Sequence, residues 1–100
     1  MILYNETISI DADVETDWVA WMKEKQIPDI LNTGMFVSAR IFKVINENEA
    51  ESTSYAVQYL AESMEHLSLY QQRYAPAMQD EHHARFRGKY VSFSTLLEAI

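Results

Sequence analysis

The first ten residues alternate between apolar and polar positions, and the period then changes to that of a helix. One face of the strand predicted over residues 2–10 is apolar except for Glu6 and comprises Ile2, Tyr4, Ile8 and Ile10. From Asp13 the apolar positions recur every three or four residues, which predicts a helix. Pro28 should end this helix because it lacks a backbone N–H. One short turn can follow, with Gly34 as a left-handed stop.

Two further alternating segments, residues 35–45 and 52–61, predict a β-hairpin around a polar turn at residues 46–51. In the first segment we expect one face toward the core and the other away from it. The inward set is Val37, Ala39 and Ile41, and the outward set is Phe36, Ser38, Arg40 and Phe42. In the second segment the inward set is Tyr55, Val57 and Tyr59.

The last third of the chain predicts a helix and then a strand. Ser63 is the expected N-cap, Pro76 should kink or restart the helix, and Gly88 should stop it. In the strand that begins at Lys89, the residues expected to face the helices are Val91, Phe93 and Leu97, with Tyr90, Ser92 and Ser94 on the opposite face. The order β-α-β-β-α-β predicts an α+β, ferredoxin-like fold. Residues 1–100 would form a single domain, a four-stranded antiparallel sheet with two helices on one face.

The sheet face opposite the helices combines polar residues with large apolar ones. The polar residues include Asn5, Arg40 and Gln58, and the apolar ones include Leu3, Phe42 and Leu60. An open antiparallel sheet with one wet face would explain the polar set. The apolar set favours a covered face, because soluble monomers rarely expose a contiguous apolar patch. We therefore expect a homodimer in which two such sheets stack as a dimeric α/β barrel.

Composition excludes several classes of function. The 100 residues contain two glycines and no cysteine, which excludes glycine-rich phosphate-binding loops, disulfide scaffolds and thiolate chemistry. The net charge of −7 disfavours nucleic acid as a partner. The N-terminal residues have neither the basic start of a signal peptide nor a membrane anchor. These observations predict a cytoplasmic protein with no membrane or nucleic-acid partner.

Several segments carry a resemblance to a known family. They include the W-x-x-W-M sequence from Trp18 to Met22, the I-P-x-x-x-x-T-G-x-F sequence from Ile27 to Phe36, and residues 53–59. The chain resembles the bacterial domain-of-unknown-function family 4286 over nearly its whole length. The resemblance implies a ferredoxin-like fold of the dimeric α/β-barrel type and brings no catalytic residue. At the level of fold alone, the predicted architecture is similar to the dimeric α/β-barrel superfamily, which includes cofactor-free monooxygenases and haem enzymes.

Five residues are candidates for binding a small ligand: Asn5, Arg40, Gln58, Trp18 and Tyr59. The planar fork of Arg40 suits a carboxylate or phosphate, and two amides on the same face can orient it. Pairing across a dimer interface explains the same set, so we expect Arg40 to be at least half buried in the dimer. Trp18 and its neighbour Trp21 are expected mainly in the core.

No metal or cofactor site is expected from the sequence. His82 and His83 are adjacent, and neighbouring helical residues point about 100° apart, so they cannot share one ion in a regular helix. We expect both to be surface histidines. Two hypotheses for function remain. The first is a homodimeric domain with a structural or small-ligand-binding role, and the second is an enzyme resembling cofactor-free monooxygenases.

Overall fold

The computed structural model describes residues 1–45 and 51–100 and confirms the predicted ferredoxin-like architecture. The four strands are β1 (Ile2–Asp11), β2 (Ser38–Lys43), β3 (Ser52–Ala61) and β4 (Tyr90–Glu98). They form one antiparallel sheet in the order β2-β3-β1-β4. The helices are α1 (Glu15–Trp21), α2 (Ile27–Leu31), α3 (Met64–Arg73) and α4 (Ala75–Phe86). They pack on one face of the sheet, where the buried residues of β1 and β3 lie.

The first helical region continues past Pro28, contrary to the prediction that it ends there. A 3-10 turn (Ala12–Val14) leads into α1, and a π-helical turn (Met22–Gln26) joins α1 to α2. Pro28 lies in the first turn of α2, where its missing N–H is least costly. The wider turn before it changes the hydrogen-bonding pattern at the place where proline would otherwise break a regular helix. Gly34 follows with a φ of 80°, as predicted.

The second helical region matches its prediction closely. The Ser63 side chain accepts a hydrogen bond from the His66 backbone N–H and caps α3. Helices α3 and α4 meet at Tyr74, and Pro76 occupies the first turn of α4. Gly88 stops the region with a φ of 75°.

The hairpin strands pair as expected, but the first one begins later than predicted. Residues 35–37 precede β2, so the alternation of a strand does not apply to them. Phe36 is therefore buried against Tyr59 and Tyr70, whereas Val37 is exposed. The prediction that placed Val37 inside and Phe36 outside was wrong for this reason. Most of the predicted turn, residues 46–50, lies outside the described residues.

Strand β4 presents the face opposite to the one predicted. Tyr90 lies across from Ile10, and Ser92 across from Ile8, so both share the helix side of the sheet with these core residues. Phe93 lies across from Thr7 on the outer face. The prediction took the most apolar set of β4 as the inner one. That was wrong, because the apolar residues Val91, Phe93 and Leu97 lie on the exposed outer face of this edge strand.

Candidate functional site

A cavity of about 400 Å³ lies between the sheet and the helices. β1 and β4 form its floor, the π-helical turn and α3 contribute one wall, and α4 contributes the other. Ser92 on β4 and Asp80 on α4 are exposed members of the lining, so the cavity opens to solvent between these two elements. The lining consists of Tyr4, Glu6, Ile8, Met22, Gln26, Tyr70, Met78, Gln79, Asp80, His82, His83, Tyr90 and Ser92.

Glu6 is the carboxylate on the floor of this cavity. It lies in the middle of β1, on the face that otherwise contributes Tyr4 and Ile8 to the core. Burial raises the pKa of its carboxyl group. Within the described residues, no hydrogen bond or ion pair to its side chain is found. A partly buried carboxylate without a protein partner is available to a ligand, either as a hydrogen-bond acceptor or as a proton acceptor.

Tyrosine side chains surround Glu6. Tyr4, Tyr70 and Tyr90 line the cavity with it, and Tyr59 lies behind them in the core. Burial raises the pKa of all four hydroxyl groups, and the negative charge of Glu6 raises each of them further. These hydroxyl groups therefore stay protonated at neutral pH, and those of Tyr4 and Tyr70 can donate hydrogen bonds inside the cavity, whereas that of Tyr90 lies 3.1 Å from the Nδ1 of His83.

His82 is buried, which corrects the prediction of two surface histidines. Its Nε2 accepts a hydrogen bond of 2.9 Å from the indole Nε1–H of Trp18. Its ring also packs against Tyr90 and Phe86. Burial, followed by the charge of the neighbouring His83, lowers its pKa to about 4. Only His83 is exposed, as predicted. The two residues differ because α4 turns one toward the sheet and the other toward solvent.

The bond from Trp18 fixes the tautomer of His82. Because Nε2 is the acceptor, the single proton of the neutral ring lies on Nδ1. Nδ1 has no hydrogen-bond partner among the described residues. His82 thus offers the cavity one N–H donor, while Glu6 offers an acceptor.

Two buried polar atoms near the cavity also have no hydrogen-bond partner among the described residues. Gln26 is only 6% exposed, and its Nε2 donates to the backbone oxygen of Met78. Its Oε1 is fully buried with no hydrogen-bond partner, and so is the hydroxyl group of Tyr59. A buried polar atom left unpaired costs free energy, and such atoms commonly mark the place of a ligand or water.

The five residues predicted to bind a ligand divide between the two sides of the sheet. Asn5, Gln58 and Arg40 are paired in one row across β1, β3 and β2, on the outer face away from the cavity. Trp18 and Tyr59 are completely buried on the helix side. The structure therefore brings three of the five together and separates them from the other two. Arg40 is exposed in the single chain, with its guanidinium 5.1 Å from the ring centre of Phe42.

Sequence reasoning missed Glu6, His82 and Gln26 as site residues. Glu6 carries a signal that could have been used, because it is the one charged residue on the apolar face of the first strand. His82 and Gln26 carry no comparable signal. Their burial depends on how α4 and the π-helical turn pack, which is a tertiary property.

The described part of the chain holds no group of three or more histidine, aspartate or glutamate side chains suited to a metal ion. Among the same residues, no helix is long and apolar enough to cross a membrane.

Comparison with solved structures finds the same fold in proteins of very different sequence. An EthD family protein from Bacillus halodurans has 6% identity and a TM-score of 0.68, with 100% of both chains covered. A dimeric ferredoxin-like protein from an uncultured marine organism has 11% identity and a TM-score of 0.67, with 100% and 95% covered. SnoaB, a cofactor-independent oxygenase from Streptomyces nogalater, has 9% identity and a TM-score of 0.64, with 98% and 92% covered.

Comparison at the level of sequence identifies a family. A family model described as "Domain of unknown function (DUF4286)" matches residues 1–100. No curated protein sequence matches the chain. The family match covers the whole chain, including every residue of the cavity.

Proposed function

The chain belongs to the DUF4286 family, whose function is unknown, and we propose that it is a homodimeric domain that binds a small organic molecule. The binding site is the cavity between the sheet and the helices. The observation that carries the proposal is the Glu6 carboxylate, which lies on the cavity floor among tyrosines and has no hydrogen-bond partner among the described residues. The cytoplasmic location stays a prediction.

The shape and lining of the cavity support this role. Its volume of about 400 Å³ is in the range of small-molecule sites, and its lining combines apolar and aromatic side chains with several polar ones. A carboxylate acceptor and a histidine N–H donor can fix the orientation of a bound molecule. A site kept only for structural reasons would be expected to pair these groups with each other.

The outer face of the sheet supports the homodimer. Phe93 and Val91 are 65% and 71% exposed there, and Phe42 and Leu97 are exposed beside them. One protein of similar fold is described as dimeric. We propose that a second copy covers this face, with the row of Asn5, Gln58 and Arg40 at its centre. Sedimentation or light scattering at micromolar concentration should then give twice the 11.6 kDa mass of the chain.

A thermal-shift screen of a small-molecule library tests the binding proposal. We expect hits that raise the melting temperature of the wild-type protein and lose their effect in the Ser92→Trp variant, which obstructs the cavity opening. Ser68→Trp, on the outward side of α3, is the matched control and should retain the hits. If no compound stabilises the wild type, or if Ser92→Trp responds as the wild type does, the cavity is not a binding site.

An enzyme is the second candidate, favoured by the presence of Glu6 and the His82 N–H in one cavity. A carboxylate whose pKa is raised by burial is a stronger base than an exposed one and is suited to accept a proton from a ligand. The His82 Nδ1–H can then stabilise the negative oxygen that develops. In an oxygenase of this kind, a ligand CH₂ group and dioxygen give a carbonyl group and water, so no further reductant is needed.

Oxygen consumption with an anthrone such as dithranol tests this second candidate. We expect the wild type to exceed the uncatalysed rate, and Glu6→Gln to lose at least 90% of the excess, since general bases contribute about 10²–10⁴-fold. Glu24→Gln, an exposed carboxylate outside the cavity, should keep the wild-type rate. Equal rates for Glu6→Gln and the wild type would reject Glu6 as the base.

A further inference from the structure

We propose that the ligand of this cavity carries a positively charged amine. The inference rests on the proposed binding function and adds the chemical class of the ligand. It follows from three properties of the cavity lining: the kind of polar atom left unpaired, the sign of the charges, and the aromatic rings around them.

Two polar groups of the lining that have no partner among the described residues are hydrogen-bond acceptors. The Gln26 Oε1 is fully buried without a partner, and the bond from its Nε2 to the Met78 carbonyl fixes which end of the amide is left over. The Glu6 carboxylate accepts no hydrogen bond from the described residues. A ligand that satisfies both groups must donate hydrogen bonds, and an ammonium group offers three N–H donors.

The charges of the lining have one sign. Among the described residues that line the cavity, Glu6 and Asp80 are the two carboxylates, and there is no lysine or arginine. Burial keeps His82 neutral at physiological pH. An anionic ligand would therefore meet a buried negative charge without a compensating cation, whereas an ammonium group would neutralise Glu6 and offset the free-energy cost of its burial.

Aromatic rings complete the environment of the carboxylate. Tyr4, Tyr70 and Tyr90 line the same cavity as Glu6 and come from three different elements, β1, α3 and β4. Clustered aromatic rings attract cations through the negative charge of the ring face. The apolar Met22 and Met78 leave room beside them for the hydrocarbon part of the ligand.

Three probes that share a phenethyl group test the charge preference by isothermal titration calorimetry at neutral pH. They are phenethylamine, phenethyl alcohol and hydrocinnamate, which are cationic, neutral and anionic. We expect the amine to bind at least tenfold more tightly than the alcohol, and the acid not to bind. If the alcohol or the acid binds as tightly as the amine, the charge preference is wrong while the cavity remains a binding site. If none of the three binds, the amine proposal fails and the library screen decides binding separately.

Variants then locate the preference at the two acceptors. Glu6→Gln should weaken binding of phenethylamine at least tenfold and change binding of the alcohol less than threefold. Gln26→Met, which keeps the volume and removes the Oε1 acceptor, should weaken the amine by a smaller factor. Glu24→Gln is the control for a carboxylate outside the cavity and should bind as the wild type does. Unchanged amine affinity in Glu6→Gln would overturn the proposal.

The pH dependence provides a readout that a structural role of Glu6 would not give. The affinity for the amine should fall as the pH falls through the pKa of Glu6, and this dependence should vanish in Glu6→Gln. The ligand stays protonated throughout, because alkylamines resemble lysine in losing their proton only near pH 10. The titratable groups that face Glu6 or line its cavity are Tyr4, Tyr59, Tyr70, Tyr90, His82, His83 and Asp80. Asp80→Asn should keep the pH dependence. If the dependence disappears in Asp80→Asn, the group that titrates is Asp80 and not Glu6.

Discussion

Burial moves the pKa values of Glu6 and His82 in opposite directions, and in both residues it disfavours the charged form. They line one cavity but do not pair with each other. His82 is instead held by Trp18, and Glu6 has no hydrogen-bond partner in the described part of the chain. The two residues therefore affect stability with opposite pH dependence, and the effect of each can be measured in its own variant.

His82→Phe should lower the free energy of unfolding by about 1–3 kcal/mol, the usual cost of leaving a buried donor unpaired. The unpaired donor is the Trp18 indole N–H. Since the His82 pKa falls to about 4 in the fold, from about 6.5 when unfolded, its contribution is present above pH 6.5 and is lost as the pH falls toward 4. Denaturant unfolding of the wild type should therefore show a free energy of unfolding that falls as the pH is lowered from 6.5 to about 4. His83→Gln should keep this pH dependence, and a pH dependence that persists in His82→Phe would contradict the assignment.

Glu6→Gln should stabilise the protein at neutral pH by about 0.5–2 kcal/mol, the range of typical stabilising substitutions. The carboxyl pKa is raised in the fold, so its favourable contribution is present below the unfolded value of about 4.3 and is lost as the pH rises through the folded value. The free energies of unfolding of the variant and the wild type should be similar near pH 4 and differ increasingly above it. A variant that is less stable at pH 7 would mean that the ionised Glu6 has a stabilising partner.

At the level of elements, the sequence predicted the buried face correctly for strands that have apolar residues mainly on one face. β1 and β3 alternate cleanly, and each matches its predicted apolar face. β4 has apolar residues on both faces, so period alone cannot choose between them, and the pairing with β1 decides. The same limit explains which site residues could be predicted. Glu6 is recognisable as a charged residue in a regular apolar pattern, whereas the burial of His82 and Gln26 depends on how separate helices pack.

The start of β2 allows an element-scale prediction. Phe36→Ala should cost about 3–5 kcal/mol, because its ring packs in the core 5.3 Å from Tyr59 and 4.8 Å from Tyr70. Val37→Ala should cost less than about 0.5 kcal/mol, because Val37 is exposed. Thermal unfolding of the two variants compares them directly. Similar losses, or a larger loss for Val37→Ala, would mean that the strand alternation extends back through residue 36.

At the scale of the whole molecule, the two faces of the sheet differ in what they contact. The helix side holds the core and the cavity, and the outer face holds the proposed dimer contact. Arg40 lies on that outer face beside Gln58. If a partner subunit covers it, its guanidinium must be paired there.

Arg40→Ala should then weaken the dimer by about 2–5 kcal/mol, the usual effect of removing a partner from a buried charged contact. Sedimentation equilibrium of the variant and the wild type measures this difference. Arg73→Ala, at the end of α3, is the control and should leave the dissociation constant unchanged. A dimer of wild-type strength in Arg40→Ala would mean that this residue lies outside the interface.

Phe93→Asp should convert the protein to a monomer that is still folded. Phe93 lies on the outer face of β4 and is 65% exposed in the single chain, so aspartate there adds no buried charge to the isolated fold. In the proposed dimer the same carboxylate would be buried against an apolar surface, at a cost of several kcal/mol. Leu69→Asp places the same charge on an exposed apolar position of α3, on the helix side, and should leave the dimer intact. Light scattering together with circular dichroism separates loss of assembly from loss of fold. A folded dimer in Phe93→Asp would mean that Phe93 lies outside the interface. A monomer in Leu69→Asp alone would mean that the interface is on the helix side and not on the sheet.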